Sequence, residues 1–418
     1  MARKMKDSGV EWIGQIPEEW EKAKMKRVGR YINGYAFKPE DWTSQGKPII
    51  RIQDLTGSNK NPNYFDGDID KKYLIKQGDI LVSWAATLDA FIWKGNDGWL
   101  NQHIFKAIPD EKIIKYDFFF WLMKIAMENM NNDNKHGIVM QHVTTEVFGN
   151  FGIPMPPLNE QQRIADFLDD KVGEIDTIIS NTKESIEDYK KYKQAIITEA
   201  ITQGLDKFVK MVDTDNIHIP TIPAHWKMKK MKYIFEIKKD IAGKEGYDIL
   251  SITQKGIKIK DISKNEGQLA QNYSNYQLVN IGNFAMNHMD LLTGWVDISK
   301  YAGVTSPDYR VFKFIDATGY NADYYLYLMQ MCYMNKIFYG LGQGVSNLGR
   351  WRLQADKFLN FTIPEPPLKE QQEIADYLAE KCGEIDTLIV KKEVFVEEME
   401  AYKKSLIYEY VTGKKEVF

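Results

Sequence analysis

Arginine, lysine, asparagine and glutamine can make paired hydrogen bonds to the edges of nucleic-acid bases, while serine, threonine and backbone amides anchor phosphates. This sequence gathers such residues, among aromatic neighbours, in a few loops. In the first half they are "IIRIQDLTGSNK", with Arg51, Gln53 and Lys60, "GWLNQHIFK", with Asn101, Gln102 and His103, and "NDNKHGIVMQHV", with Lys135, His136, Gln141 and His142. In the second half they are "SITQKGIKIK", with Gln254, Lys255 and Lys258, joined by Asn287 and His288 from the strand-like run "NFAMNHM". "VTSPDYRVFK", with Ser306, Tyr309 and Arg310, and "GLGQGVSNLGRWR", with Gln343, Arg350 and Arg352, complete the set. Each has a plainer reading: Asn101, Gln102 and His103 equally suit a capped turn, and Arg350 and Arg352 equally suit ordinary surface charges.

Catalytic patterns are missing. No GxxxxGK[ST] loop is present, and "GLGQGVSNLG" lacks the GxGxxG spacing and follows a helical pattern rather than a strand, so it reads as a loop. The six histidines form neither HExxH nor a Cys/His cluster, so no metal site is expected. "PMPPL" and "PEPPL" carry Met or Glu where the Asn/Asp-Pro-Pro-aromatic loop of adenine methyltransferases needs its amide or carboxylate. Two cysteines, Cys332 and Cys382, are too few for a disulfide framework and fit a reducing cytoplasm. The opening "MARKMKDSGVEW" is not a signal peptide, and no run of about twenty apolar residues exists to span a bilayer. A formal net charge of -3 gives no global attraction for nucleic acid, so any such binding depends on local patches.

The elements that would carry these loops are written twice. "PPLNEQQRIADFLDDKVGEIDTII" at 156–179 returns as "PPLKEQQEIADYLAEKCGEIDTLI" at 366–389, a constant offset of 210 that also joins "YKQAIITEAIT" to "YKKSLIYEYVT". Upstream, "IPEEWEKAKMK" matches "IPAHWKMKKMK", "DFFFWLM" matches "DYYLYLM", and "KQGDILVS" weakly matches "VNIGNFAMN" through Gly78 and Gly282. Between these anchors the polar loops differ: "RIQD" at 51–54 faces "SITQ" at 251–254. A retained scaffold with altered contact chemistry suits two readers of two different targets.

Short β-rich runs, "PIIRI", "DILVSW" and "NFGIPM", then "DILSIT", "NFAMNHM" and "YRVFKFI", are bounded by Gly, Asn, Asp or Pro and predict strands. "KYDFFFWLMKIAMENM" and "NADYYLYLMQMCYMNKIF" each predict one helix on the sheet. In the repeated segment Ile164, Leu168, Val172, Ile175, Ile179, Ile186, Tyr189 and Ile196 keep a spacing near 3.5, as do Ile374, Leu378, Cys382, Ile385, Ile389, Val396, Met399 and Leu406, which is a coiled-coil seam. Asn159 with Gln162 predicts a capping box, and Gly173 and Gly383 predict a kink or a close approach of the partner backbone. About 45 residues make a rod of roughly 68 Å.

The expected fold class is α+β: two mixed α/β modules in tandem, each followed by a long helix, the helices pairing as an antiparallel coiled coil with pseudo-two-fold symmetry. The expected boundaries are 1–157, helix 158–205, 206–366 and helix 367–418. Such an object suits a target with its own two-fold frame, for which duplex DNA is the obvious choice.

The duplicated "IPMPPLNEQQRIADFLDDKVGEIDTII" and "IPEPPLKEQQEIADYLAEKCGEIDTLI", with "DSGVEWIGQIPEEWEKAKMKRV", "IPTIPAHWKMKKMKYI" and "SPDYRVF", resemble the specificity subunits of type I restriction-modification enzymes over the whole chain. The resemblance implies two target recognition domains, each reading half of a bipartite double-stranded DNA site, held apart by paired helices. It implies two modification (methyltransferase) subunits and restriction subunits as partners. S-adenosylmethionine, ATP and Mg would belong to those partners, with no cofactor, metal or catalytic residue on this chain. Gln161, Gln162, Gln371 and Gln372 match the family's helix start, where they look like structural or subunit-docking positions, followed by the seam positions Ile164 to Ile179 and Ile374 to Ile389. No base-contacting residue carries over by motif, because the recognition domains vary freely. Rival readings are a stand-alone methyltransferase or nuclease with unrecognised motifs, and a coiled-coil scaffold bearing protein-binding modules.

Overall fold

A computed structural model describes residues 3–59, 61–85, 87–133, 145–261, 272–344 and 351–417. The chain forms two compact units: Met1–Lys183 with Val394–Phe418, and Glu184–Glu393. Both helix copies are divided at the same register, since Lys183 and Glu393 lie 210 residues apart, the offset of the repeat. Four helices carry most of the helical core: α1 (Tyr116–Asp133), α2 (Leu158–Gln203), α3 (Ala322–Met334) and α4 (Leu368–Val411).

In unit 1, strands β1 (Gly29–Asn33), β2 (Ile80–Ser83), β3 (Asp89–Ile92) and β4 (Ile104–Pro109) form an antiparallel sheet in the order β1-β4-β2-β3. In unit 2, β5 (Phe235–Lys238), β6 (Phe284–Met286), β7 (Val296–Ile298) and β8 (Arg310–Phe314) repeat it as β5-β8-β6-β7. The weakest sequence match marks a shared turn. Gly78 and Gly282 both adopt positive φ, and Asp79 and Asn283 each accept a backbone N–H three residues upstream, from Lys76 and Asn280. Helix α1 buries Phe118, Phe119, Leu122 and Met123 with Ile80 and Val82; α3 buries Tyr324, Tyr325, Leu328 and Met329 with Phe284 and Phe312. Each such side chain contributes about 1.5–3 kcal/mol by leaving water.

The single helix expected over 321–338 is two. Helix α3 stops at Met334, Lys336 takes a left-handed φ of 55°, and a short helix resumes at Ile337–Leu341. The break is held by Asn335, whose amide group accepts from Gln194 Nε2 at 2.6 Å and donates to Thr198 Oγ1 at 2.9 Å.

Within each unit the two long helices pair. In unit 1 Ile164, Leu168, Val172, Ile175 and Ile179 of α2 share a core with Val396, Leu406, Ile407 and Val411 of α4. In unit 2 Ile186, Ile196, Ile197 and Ile201 share one with Ile374, Leu378, Cys382, Ile385 and Ile389. Asp176 meets Lys403 at 2.6 Å and Lys183 meets Glu400 at 2.8 Å, so the segments run antiparallel; in unit 2 Lys193 meets Asp386 at 2.6 Å. These partly exposed ion pairs give about 0–1 kcal/mol each and fix register, while the apolar seam supplies the stability.

The helix starts differ from the expected capping box. Each helix begins directly after its Pro-Pro pair, so Asn159 already lies inside the first turn and reaches only the N–H of Glu160, while Gln162 Nε2 donates to Asp166. The buried Gln161 fastens the start instead: its Nε2 donates to the carbonyls of Pro156 at 2.8 Å and Ile113 at 3.1 Å, and its Oε1 accepts from the Lys115 N–H. Gln371 repeats this with Pro366 and Asn321. The close approach expected at Gly173 and Gly383 is not found: among the described residues nothing lies within 4 Å of an added Cβ, and each helix continues through its glycine.

Candidate nucleic-acid interface

In unit 1 one pairing brings two distant loops together. Strand Lys47–Ile50 runs parallel to Gly98–Leu100, with Ile50 opposite Leu100, so the loop after Ile50 and the turn after Leu100 leave the same edge. Arg51 starts the short helix Ile52–Leu55, its backbone N–H donating to Asp54 and its guanidinium lying 4.8 Å over the ring of Trp42. Gln53 is exposed. Asn101 is buried, and its Oδ1 accepts from the His103 N–H, which is the turn-capping role. His103 projects outward beside Trp84, ring centroids 5.8 Å apart. Gln102 Oε1 and Arg51 Nη2 are buried without a hydrogen-bond partner among the described residues. Gly34 permits this edge: a Cβ there would lie 2.0 Å from the Asn101 carbonyl oxygen.

In unit 2 the hairpin Leu250–Thr253 with Gly256–Ile259 carries Gln254, Lys255 and Lys258, all exposed. Gln254 Nε2 donates to the Thr293 carbonyl at 3.3 Å. Asn287 and His288 follow β6, and Ser306, Tyr309 and Arg310 lead into β8, so the sheet order sets these two loops side by side. Gln277, buried and not singled out by the sequence, ties the second loop down by donating from Nε2 to the carbonyls of Ser306 and Tyr309. A cavity of about 440 Å³ opens here, lined by Asn287, Ser306, Tyr309, Tyr273 and Tyr276 among others. Burial raises both the Tyr276 and Tyr309 hydroxyls, so they stay protonated donors. Arg352 pairs across a two-residue ladder with Gln343.

His288 and Arg310 are buried, each 5% exposed. Arg310 donates from Nη2 to the Leu353 carbonyl at 2.9 Å and stacks 4.8 Å over Phe358. Burial lowers its pKa to about 10, with Arg352 adding repulsion. Burial, then the charges of Arg310 and Arg352, depress the His288 imidazole to about 3. Lys60, Lys135, His136, Gln141, His142 and Arg350 lie outside the described residues. Missed by sequence reading were Gln277, the Lys238–Lys239 pair at the end of β5 and the glycine Gly34; only the adjacent lysines carried a visible signal.

The docking candidates fall on the helices. Gln161 and Gln371 are buried inside their own units, as are the seam residues Ile164, Leu168, Ile175, Ile179, Ile374, Leu378, Ile385 and Ile389. Gln162 is half-buried and Gln372 is exposed, the latter accepting from Asn321 Nδ2 at 2.7 Å. Among the described residues no helix is long and apolar enough to cross a membrane, and no group of three or more His, Cys, Asp or Glu could hold a metal. Both cysteines are free and buried, which raises the Cys382 thiol to about 11 and Cys332 further.

Each unit thus carries a set of polar loops on a repeated four-stranded scaffold. Residues 17–188 and 223–389 match the model of the type I restriction modification DNA specificity domain, and the chain belongs to that family. It is 25% identical over 419 residues to the type I restriction enzyme MjaVIII specificity subunit of Methanocaldococcus jannaschii, covering 96% of this chain and 94% of that one. It is 25% identical over 267 residues to the EcoBI specificity subunit of Escherichia coli, covering 62% of this chain and 54% of that subunit. A solved chain from work on complex assembly and conformational transition of the type I R-M system shares the fold, with a TM-score of 0.68 over 96% of this chain and 99% of its own, at 14% identity.

Proposed function

We propose that this chain is the DNA-recognition subunit of a type I restriction-modification system, each unit reading one half of a bipartite double-stranded site. The observation that carries this is the repetition itself: two family matches, two sheets of the same strand order, and different polar side chains on equivalent loops. Arg51, Gln53 and His103 in unit 1, and Gln254, Lys255 and Lys258 in unit 2, are the exposed or half-buried groups suited to base edges and phosphates. Helices α2 and α4 set the unread spacer and dock two modification subunits. Those subunits bring S-adenosylmethionine, and restriction subunits bring ATP and Mg; this chain supplies specificity and no chemistry. With a net charge of -3, it takes part of its phosphate affinity from these partners.

Methylation mapping of a strain expressing this chain with its modification partner tests the reading. Because α2 and α4 pair, an insertion must be matched in both: four residues after Thr182 and four after Lys392, 210 residues further on. The added 6 Å or so of helix should lengthen the spacer by roughly two base pairs and leave both half-sites unchanged. Modified sites with the original spacer would refute the role of the helices; a modified sequence without two halves would refute the bipartite reading.

A further inference from the structure

A second cavity in unit 2, about 430 Å³, is lined by His288, Tyr309, Arg310, Arg352, Lys238 and Lys239 among others and, among the described residues, by no carboxylate, Lys238 Nζ lying 3.4 Å from Asp240 outside the lining. Two of its walls are unfinished. Arg310 Nη1 and His288 Nδ1 are buried with no hydrogen-bond partner among the described residues, although both residues are 95% buried. A guanidinium sealed from water normally faces an acid, because an unpaired buried charge and an unmade hydrogen bond are each costly. Among the described residues Arg310 meets no acid, and it is not free to turn away: Nη2 is held by the Leu353 carbonyl and the plane by Phe358. The Leu353 N–H in turn donates to the His288 carbonyl at 3.0 Å, so the two unpartnered groups are fixed by one short segment. An anion with two acceptor oxygens would satisfy both groups, Arg310 through Nη1 and His288 in its Nδ1–H form. The volume admits a tetrahedral anion with its substituents and some water.

We propose that this cavity is a phosphate pocket that takes one backbone phosphate of duplex DNA, Arg310 and His288 donating to its oxygens and Arg352 with Lys238 and Lys239 screening its charge at the mouth. The proposal rests on the DNA-recognition reading above. It makes Arg310 a positioning residue that fixes unit 2 on its half-site, and not a reader of bases.

The test has two arms. In the first, the full chain labelled at histidine ring carbons is titrated with inorganic phosphate at constant ionic strength. The His288 resonance, assigned by its loss in His288→Gln, should shift and saturate, and should not do so in Arg310→Gln. A wild-type His288 that does not respond, or responds equally in Arg310→Gln, overturns the pocket. In the second arm the chain assembled with its modification subunits binds its duplex at several salt concentrations. Arg310→Gln should lower affinity about tenfold or more and flatten the dependence of log K on log salt by about 0.9, with the methylated sequence unchanged. Arg352→Gln, at the mouth, does the same more weakly and serves if Arg310→Gln fails to fold. An unchanged slope, or a changed methylated sequence, overturns the backbone-phosphate assignment. Absence of specific duplex binding by the wild-type assembly, with the phosphate shift intact, would instead refute the DNA-recognition reading and leave a pocket for small anions.

Discussion

Leu406 and Ile196 occupy the same position in the two helix copies, 210 residues apart, yet Leu406 belongs to the core of unit 1 and Ile196 to that of unit 2. Leu406→Ala is therefore expected to loosen the first recognition unit, although it lies in the second copy. Leu406 is 4% exposed, so truncation removes three buried carbons, about 2.4 kcal/mol of transfer energy, and leaves a partly collapsed cavity that brings the loss to about 3 kcal/mol. Hydrogen exchange read by mass spectrometry at low denaturant resolves the units. Amides of α1 such as Leu122 should lose about a hundredfold in protection, while those of α3 such as Leu328 should be unmoved. Ile196→Ala should reverse the pattern. If Leu406→Ala exposed α3 and spared α1, the assignment of helix ends to cores would be wrong.

Acid should weaken unit 2 through His288, whose pKa of about 3 lies below its unfolded value of 6.5. The unfolded chain then binds the extra proton, so stability complete above pH 6.5 falls toward pH 3, by about 2 kcal/mol between pH 8 and pH 5. Urea midpoints of wild type should drop more steeply than those of His288→Gln; parallel curves would count against a buried neutral imidazole. Gly34→Ala forces a Cβ against the Asn101 carbonyl and should cost unit 1 about 3 kcal/mol or more, seen as a lowered melting transition and as loss of methylation governed by one half-site. Glu160→Gln should cost more than its repeat counterpart Glu370→Gln, about 2 against about 1 kcal/mol. Both carboxylates accept from a tryptophan Nε1, but Glu160 also holds the largely buried Arg3, whereas Glu370 holds the exposed His225. Equal melting shifts would show that the arginine contributes nothing.

The duplication, the long helices, the antiparallel seam and the strands were legible because each leaves a local or periodic trace: Ile164 to Ile196 at helical spacing, and β2 as an unbroken apolar run. The break at Lys336 was not, because Gln194 and Thr198, which hold Asn335, are far away in sequence. The seam likewise reveals that α2 and α4 pair, but not that each helix gives its two ends to different cores. At the candidate interface the residue types were readable and their surroundings were not. The parallel match of Ile50 to Leu100 sets Arg51 beside the turn at Asn101 without any nearby signal. Arg310 and His288 look like surface donors in sequence, and only the segment at Leu353 makes them walls of a cavity.

Unit 2 is an uninterrupted stretch, whereas unit 1 is closed by Val394–Phe418. Lys414 Nζ donates to the carbonyl of Ile13 at 2.7 Å, and Tyr408 to that of Trp12 at 3.0 Å. On the ribosome, residues up to Lys183 emerge about 10–40 s before that last helical turn and its tail. During the wait the apolar surface that Leu406 and Val411 will cover has no partner, which makes it the stretch of nascent chain most in need of protection from aggregation. The half of the protein made first is thus the half completed last.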